Sequence, residues 1–168
     1  MKQLLFSLFL LILPFMAQAQ VRYGYLSCDS VLRLMPEYAA AQQSMAQLRQ
    51  KYEAETKRSE EEFNVKYEEF LEGQRDYVPS ILQKRQAELQ DMMNKNTAFR
   101  QEARRLLAQA ERDAYAPVRK RLAALIAQVA RERGLSFVLN TDADAVPYID
   151  PSMAEYIGHY VAAMAGAN

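Results

Sequence analysis

One cysteine, one histidine, five glycines and six prolines in 168 residues is a short supply, and each scarcity excludes something. Cys28 has no second cysteine to close a disulfide within the chain. It is a small apolar residue in a core, half of an intermolecular pair, or a free thiol. Its place between a strand-like segment and an apolar helix start favours burial. With His159 as the only histidine there is no Cys/His cluster, and a structural zinc site is excluded. Glycine-rich loops of the kind that cradle phosphates are absent. Glu60-Glu61-Glu62 and Glu68-Glu69 read as solvated helix faces, and His159 has no cysteine or serine motif nearby. Neither catalysis nor a cofactor is expected.

A long hydrophobic run is also missing. Leu4 to Phe15 is apolar but interrupted by Ser7 and Pro14, well short of the roughly 20 residues a spanning helix needs. It follows Lys2 and precedes Ala17-Gln18-Ala19, the three-part pattern of a secretory leader, with cleavage expected after Ala19. A lipoprotein signal would need a cysteine directly after the run, and Cys28 lies beyond it. The mature chain is therefore expected outside the cytoplasm.

Excess charge of one sign is the last absence. The chain carries 21 basic and 21 acidic side chains, and loss of Lys2 with the leader leaves a net charge near −1. Nothing there calls for nucleic acid, whose binding is dominated by phosphate neutralisation. A basic amphipathic face for a membrane surface is not indicated either. The balance conceals an asymmetry. Glu37 to Glu72 holds nine Glu against five Lys or Arg, whereas Ile81 to Arg133 holds twelve Lys or Arg against six acids.

What is present is a stretch from Pro36 to Gly134 interrupted by Gly or Pro only at Gly73, Pro79 and Pro117. Helices in ordinary domains average about 11–12 residues, so this stretch reads as two long arms folded back around a turn at about residues 73–80. Opposite net charges would draw the arms together, although exposed pairs contribute only about 0–1 kcal/mol each. Met45, Leu48, Tyr52, Phe63, Tyr67 and Phe70 follow steps of three and four, except for a polar gap at Thr56 and Ser59 that resembles a stutter. Leu82, Leu89, Met92 or Met93, Phe99, Ala103, Leu106, Ala110, Val118, Leu122, Leu125 and Val129 continue the seam in the second arm. Asn96 takes one seam position, a device that fixes register at some cost in stability. Pro117 predicts a kink or break near Tyr115. Arg131 and Arg133 in the last turn, with Gly134 just beyond, predict the end of the second arm.

Short elements flank the arms. Val21 to Leu26 reads as a strand, and Asp29 or Ser30 is expected to cap a brief helix with Val31, Leu32 and Met35. Pro36 suits the first turn of the following helix. After Gly134, Leu135 to Leu139 and Ala145 to Ile149 are strand candidates joined by a turn at Thr141 to Asp144. Ser152 and Glu155 form a candidate capping box for a last helix bearing Tyr156, Ile157, Tyr160, Val161 and Met164. Strands this short cannot stand alone, so the two ends must meet in one small body. So thin a body argues for oligomerisation to complete its core.

Three blocks resemble the Skp/OmpH family of periplasmic chaperones. Tyr23-Gly24-Tyr25-Leu26-Ser27-Cys28-Asp29-Ser30-Val31-Leu32, with Met35-Pro36-Glu37-Tyr38, looks like that family's opening strand, short helix and entry to the first arm. Ala116-Pro117-Val118-Arg119 and the run from Ile126 to Asn140 resemble its return helix and the strand that follows. Val146 to Ser152 resembles its last strand and turn. The similarity covers essentially the whole mature chain.

The resemblance implies a mostly helical α+β fold. A long antiparallel coiled-coil hairpin, residues 36–117, would project from a β-containing body, residues 20–35 and 118–168, completed by trimerisation after the leader at 1–19. It implies ATP-independent holding of unfolded outer-membrane β-barrel proteins in the periplasm, in a cavity between arms. Better-known members are strongly basic, unlike this chain, which weakens any inference of attraction to acidic lipid or lipopolysaccharide. A holdase needs weak, adaptable apolar contacts, which Met and aromatic residues provide. Phe63, Tyr67, Phe70, Met92, Met93 and Phe99 are the candidate client-binding residues, with packing of the hairpin itself as the competing role for each. Met92 and Met93 are consecutive, so both cannot fill one seam. The competing function is an exported coiled-coil spacer or adaptor for a folded envelope partner, which would favour an unbroken seam.

Overall fold

A computed structural model describes residues 21–166; the expected leader and its cleavage point lie outside the described residues. The order of elements is β1 (Tyr23–Leu26), α1 (Cys28–Leu34), α2 (Pro36–Gly73), α3 (Pro79–Glu132), β2 (Phe137–Asn140), a 3-10 turn (Asp142–Asp144), β3 (Ala154–Tyr156) and α4 (Gly158–Met164). By its contacts the chain divides into two compact units. The body comprises the residues up to Pro36 together with those from Arg119 onward, and the hairpin comprises Glu37–Val118.

The body is organised by a three-stranded parallel sheet in the order β2-β1-β3. The N-terminal strand is central, with Tyr23 opposite both Phe137 and Ala154 and Tyr25 opposite both Leu139 and Tyr156. Strand alternation sends Gly24 and Leu26 to one face, where they are buried with Val31, Met35, Leu122, Val129, Ile157, Val161 and Ala165. Gly24 lets two core side chains approach the central strand closely. A Cβ there would lie 2.8 Å from Leu135 Cδ1 and 3.3 Å from Ile157 Cγ2. The other face carries Tyr23, Tyr25, Phe137, Leu139 and Tyr156. Tyr23 stacks on Phe137 at 5.2 Å and Tyr25 tilts against Tyr156 at 5.5 Å, with Phe137 and Tyr156 each 46% exposed.

Three local expectations are corrected by the body. Ser27, not Asp29 or Ser30, caps α1, its hydroxyl accepting from the Ser30 N–H. The strand ends at Leu26, and Asn140 and Asp142 accept the N–H groups of Cys28 and Asp29, so the helix begins earlier than the sequence suggests. Residues Ala145 to Ile149 form no strand; β3 lies later, at Ala154–Tyr156. Ser152 and Glu155 make no capping box. Ser152 sits in a turn on Asp150, and Glu155 lies in β3, where it takes ion pairs from Arg22 and Arg133. Helix α4 starts at Gly158, after Ile157, which makes no side-chain cap.

Helix α3 continues through Pro117, so of the kink or break expected near Tyr115 the break does not occur. Pro117 is exposed, so the Asp113 carbonyl that loses its ladder partner has access to water. The end of α3 is as anticipated in kind. Gly134 adopts φ +64°, Leu135 N–H donates to Ala130 O at 2.9 Å, and Gly134 N–H donates to Arg131 O at 3.2 Å. Those two bonds define a Schellman closure, which needs the left-handed residue. Glycine is thus functional at 134 for its backbone alone.

The α1 cap has a pH signature. Burial alone would raise the Asp142 carboxyl, but hydrogen bonds from the Ser27 hydroxyl, the Asp29 N–H and Asn140, with the charge of Arg33, hold it below the usual carboxylate range. A lowered folded pKa contributes stability that is complete above the unfolded value of about 3.9 and is lost as pH falls through the folded value. Asp142→Asn is therefore expected to lower the melting temperature at neutral pH and to converge with the parent chain in acid. Melts at pH 7 and near pH 2 measure this, and a gap that persists unchanged in acid sinks it.

Candidate functional site

The hairpin is built from α2, 38 residues and roughly 57 Å long at 1.5 Å per residue, and the part of α3 up to Val118. Helix α2 ends at Gly73, a tight turn follows, and Pro79 opens α3, where its missing N–H costs no hydrogen bond. The Tyr77 ring packs where Gly73 would carry a Cβ, so a larger residue there would have to displace that ring. Val78 O accepts from Ile81 and Leu82, closing the first turn of α3.

The two helices run antiparallel, as contacts along them show. Tyr38 meets Tyr115 at 5.2 Å, Tyr52 meets Phe99 at 6.2 Å, and Phe70 meets Tyr77 at 6.4 Å. At the polar gap, Asn96 Nδ2 donates across the seam to the Ser59 carbonyl at 3.1 Å. Thr56 turns its hydroxyl back to Tyr52 O at 2.8 Å. The anticipated polar register device is therefore Asn96 paired with the gap itself. Arg100–Glu60 at 2.9 Å crosses between the helices in the sense the charge asymmetry suggests, whereas Arg49–Glu111 at 3.0 Å crosses in the reverse sense. Both are about half exposed, so they contribute little. Lys57–Glu61, Arg58–Glu62, Lys66–Glu69, Arg85–Glu88, Lys95–Asp91 and Arg105–Glu102 instead pair along a single helix. Most of these ion pairs therefore run along one helix, not between the two.

Apolar residues are distributed unevenly along the hairpin. Its buried apolar side chains, Met45, Ala103 and Val118, lie away from the turn. Its exposed large apolar side chains are Val65, Tyr67, Leu71, Val78, Ile81 and Met93, all in the half nearest the turn. Phe63, Tyr67 and Leu71 follow one another at intervals of four, and Phe63 stacks on Tyr67 at 6.0 Å.

The candidate side chains separate by environment. Phe99 is half-buried against Tyr52, and Phe63 is half-buried beneath Tyr67. Phe70 and Met92 are half-buried and line a cleft of about 330 Å³ between the helices, with Tyr77 and Leu89. Tyr67 and Met93 are exposed, at 45% and 47%. The reading of the sequence missed Val65, Leu71 and Ile81. The signal was present, since none of the three is among the seam residues.

Chemistry elsewhere is quiet. Cys28 is free and half-buried; burial, then Asp142 and Asp29, push its thiol upward and keep it protonated, which opposes nucleophilic use. His159 is exposed and lies against Tyr160 at 3.8 Å and Tyr156 at 5.8 Å. Among the described residues no group of His, Cys, Asp and Glu is placed to hold a metal. None of the described helices is long and apolar enough to cross a membrane.

A family model described as Outer membrane protein (OmpH-like) matches residues 22–154. No curated protein matches the chain. Among solved structures, the fold is similar to a crystal structure described as an OmpH-like outer membrane chaperone from Caulobacter crescentus, with a TM-score of 0.72 and 20% identity. That alignment covers 90% of this chain and 86% of the other. At this identity the likeness establishes the fold.

Proposed function

The chain belongs to the OmpH-like family, and from that premise we propose that it is an ATP-independent periplasmic holdase for unfolded outer-membrane β-barrel proteins. The similar Caulobacter structure is described as an outer membrane chaperone, which supports the broader role. The observation that carries the reading is the gathering of exposed large apolar residues in the half of the hairpin nearest its turn. A holding surface needs apolar contacts that are individually weak and mutually exchangeable. Half-exposed Tyr, Leu, Val and Met side chains among charged ones meet that need, whereas a deep pocket would trap its occupant. Tyr67 and Met93 among the candidates best fit direct contact with a client, and Phe99 best fits hairpin packing.

The reading extends to self-association. Parallel sheets are almost always covered on both faces, and here one face presents Tyr23, Tyr25, Phe137, Leu139 and Tyr156 with Phe137 and Tyr156 half exposed. Further copies of the chain would cover it, and a homotrimer is the proposed assembly. Sedimentation of the chain from Gln20 onward measures this directly, and a monomer at micromolar concentration rejects it.

Light scattering tests the holdase. A urea-unfolded outer-membrane β-barrel protein is diluted into buffer with and without the chain from Gln20, in the absence of ATP. Suppression near one oligomer per client is expected. No suppression across a tenfold excess would return the molecule to the spacer reading. Met92→Gln combined with Met93→Gln is expected to weaken client binding about fivefold, at under 1.4 kcal/mol, while helicity and oligomer state stay unchanged. Unchanged affinity would remove the pair from the client surface.

A further inference from the structure

The cleft between the two helices beside the hairpin turn has a composition that selects one kind of occupant. Its apolar lining is Phe70, Tyr77, Leu89 and Met92, and its volume is about 330 Å³. Charged residues surround that lining, but they are already matched. Lys66 pairs with Glu69 at 2.6 Å, Arg85 with Glu88 at 2.8 Å, and Asp91 with Lys95 at 2.7 Å. The Glu88 hydrogen bond and charge hold the Arg85 guanidinium in its charged form, with Tyr77 and Glu69 adding to the same effect. A charged visitor would have to compete with those pairs, whereas an uncharged apolar group would not.

The aromatic geometry narrows the choice further. Phe70 and Tyr77, both in the lining, stand 6.4 Å apart with their planes at 44°, and an aromatic visitor gains edge-to-face or offset contacts with such rings that an aliphatic one does not. Met92 and Leu89 complete the lining, and the Met92 thioether makes favourable contacts with ring edges. A cleft of this size is at the lower end of small-ligand sites and is ample for one aromatic side chain.

We propose that this cleft seats a single aromatic side chain of an unfolded polypeptide, and so gives the hairpin a preference for aromatic-bearing segments that does not depend on charge. The inference rests on the holdase reading for its biological client, but it can be measured without one. The chain contains no tryptophan, so a Trp-bearing probe is seen against a dark background. The probe is an acetylated and amidated Gly/Ser peptide with one central Trp, and the competitors are the same peptide carrying Phe, Leu, Lys or Glu in its place.

Binding to the full mature chain is expected to shift the Trp emission to the blue. Phe is expected to displace the probe at least about fivefold better than Lys or Glu, with little dependence on salt. Met92→Glu, which puts a charge into the lining, is expected to weaken probe binding at least about fivefold. Tyr77→Ser, which removes one ring of the lining, gives an independent check should Met92→Glu perturb the helices. Equal displacement by Phe and Leu, or by Phe and Lys, or full probe binding by both variants, overturns the cleft as an aromatic seat.

The light-scattering assay separates this proposal from the one beneath it. Suppression of client aggregation without aromatic preference in the peptide assay would sink the cleft alone. Aromatic preference in the peptide assay without any suppression would sink the holdase and leave the cleft standing.

Discussion

Replacing Tyr67, Leu71 and Met93 together with Gln is expected to raise the concentration needed to suppress client aggregation at least tenfold, with helix content and assembly unchanged. These side chains are 45%, 44% and 47% exposed, so each has apolar area left to bury against a client. At about 25 cal/mol per Å² of apolar surface, partial burial contributes on the order of 1 kcal/mol for each residue. Ordering the three side chains offsets part of that sum. With an ordering cost of about 0.5 kcal/mol per side chain, about 1.5 kcal/mol remains, just over the 1.4 kcal/mol or so that corresponds to a tenfold change in affinity. Gln is a good helix former, so α2 and α3 should persist, and circular dichroism checks that they do. A control change of Lys51 and Glu53, exposed and farther from the turn, to Gln should leave suppression at the parental level. Equal suppression by the triple variant and the control would dissociate the exposed apolar cluster from client binding.

Ile157→Ala is expected to destabilise the body by about 2–5 kcal/mol, the range for large-to-small changes in a packed core. Ile157 is 0% exposed and sits over Gly24, in the close approach that glycine permits in the central strand. Truncation leaves a cavity against both Gly24 and Leu135, and a three-stranded sheet has little other apolar material to collapse into it. The two units need not unfold together, so the readout should belong to the body. Native-state hydrogen exchange of the Tyr23–Leu26 amides provides one. Their opening free energy should fall by the stated amount, and unchanged protection would show that Ile157 is not a keystone of the core.

The long helices were legible in the sequence because the signals that mark them are local. Apolar steps of three and four, with Gly and Pro confined to Gly73, Pro79 and Pro117, fix both helices and the turn between them. Asn96 was legible as a polar seam residue, although its partner, a main-chain carbonyl at Ser59, carries no side-chain signature. The body was harder to read because its short elements take their identity from distant partners. Ala154–Tyr156 is a strand because Tyr23 and Tyr25 lie beside it, and three residues alone display no period. Glu155 looked like half of a capping box, but Arg22 and Arg133, remote in sequence, take its carboxylate. Ser27 became the cap because Asn140 and Asp142 satisfy the neighbouring N–H groups, an arrangement invisible from the local residues. Pro117 does not end the helix, because a proline's cost depends on whether water reaches the carbonyl it strands, and here the position is exposed. In the hairpin, the seam pattern did not show which of its members pack and which stay exposed: Phe99 is half-buried against Tyr52, whereas Tyr67 is 45% exposed.

The sheet pairs Tyr23 with Phe137 and Ala154, partners more than a hundred positions downstream. A chain emerging N-terminus first thus holds its central strand without neighbours until nearly all of the polypeptide has appeared. Pairing across such a separation carries a loop-closure cost that local structure does not. The intervening residues relieve much of it, because zipping Tyr38 against Tyr115 brings distant stretches of chain within 5.2 Å between ring centres. Loop-closure cost therefore favours an order in which the helical pair closes before the sheet is completed. Until then Tyr23–Leu26 is an unsatisfied edge on both sides, and the newborn chain is itself the kind of exposed strand that β-rich proteins must be protected from displaying.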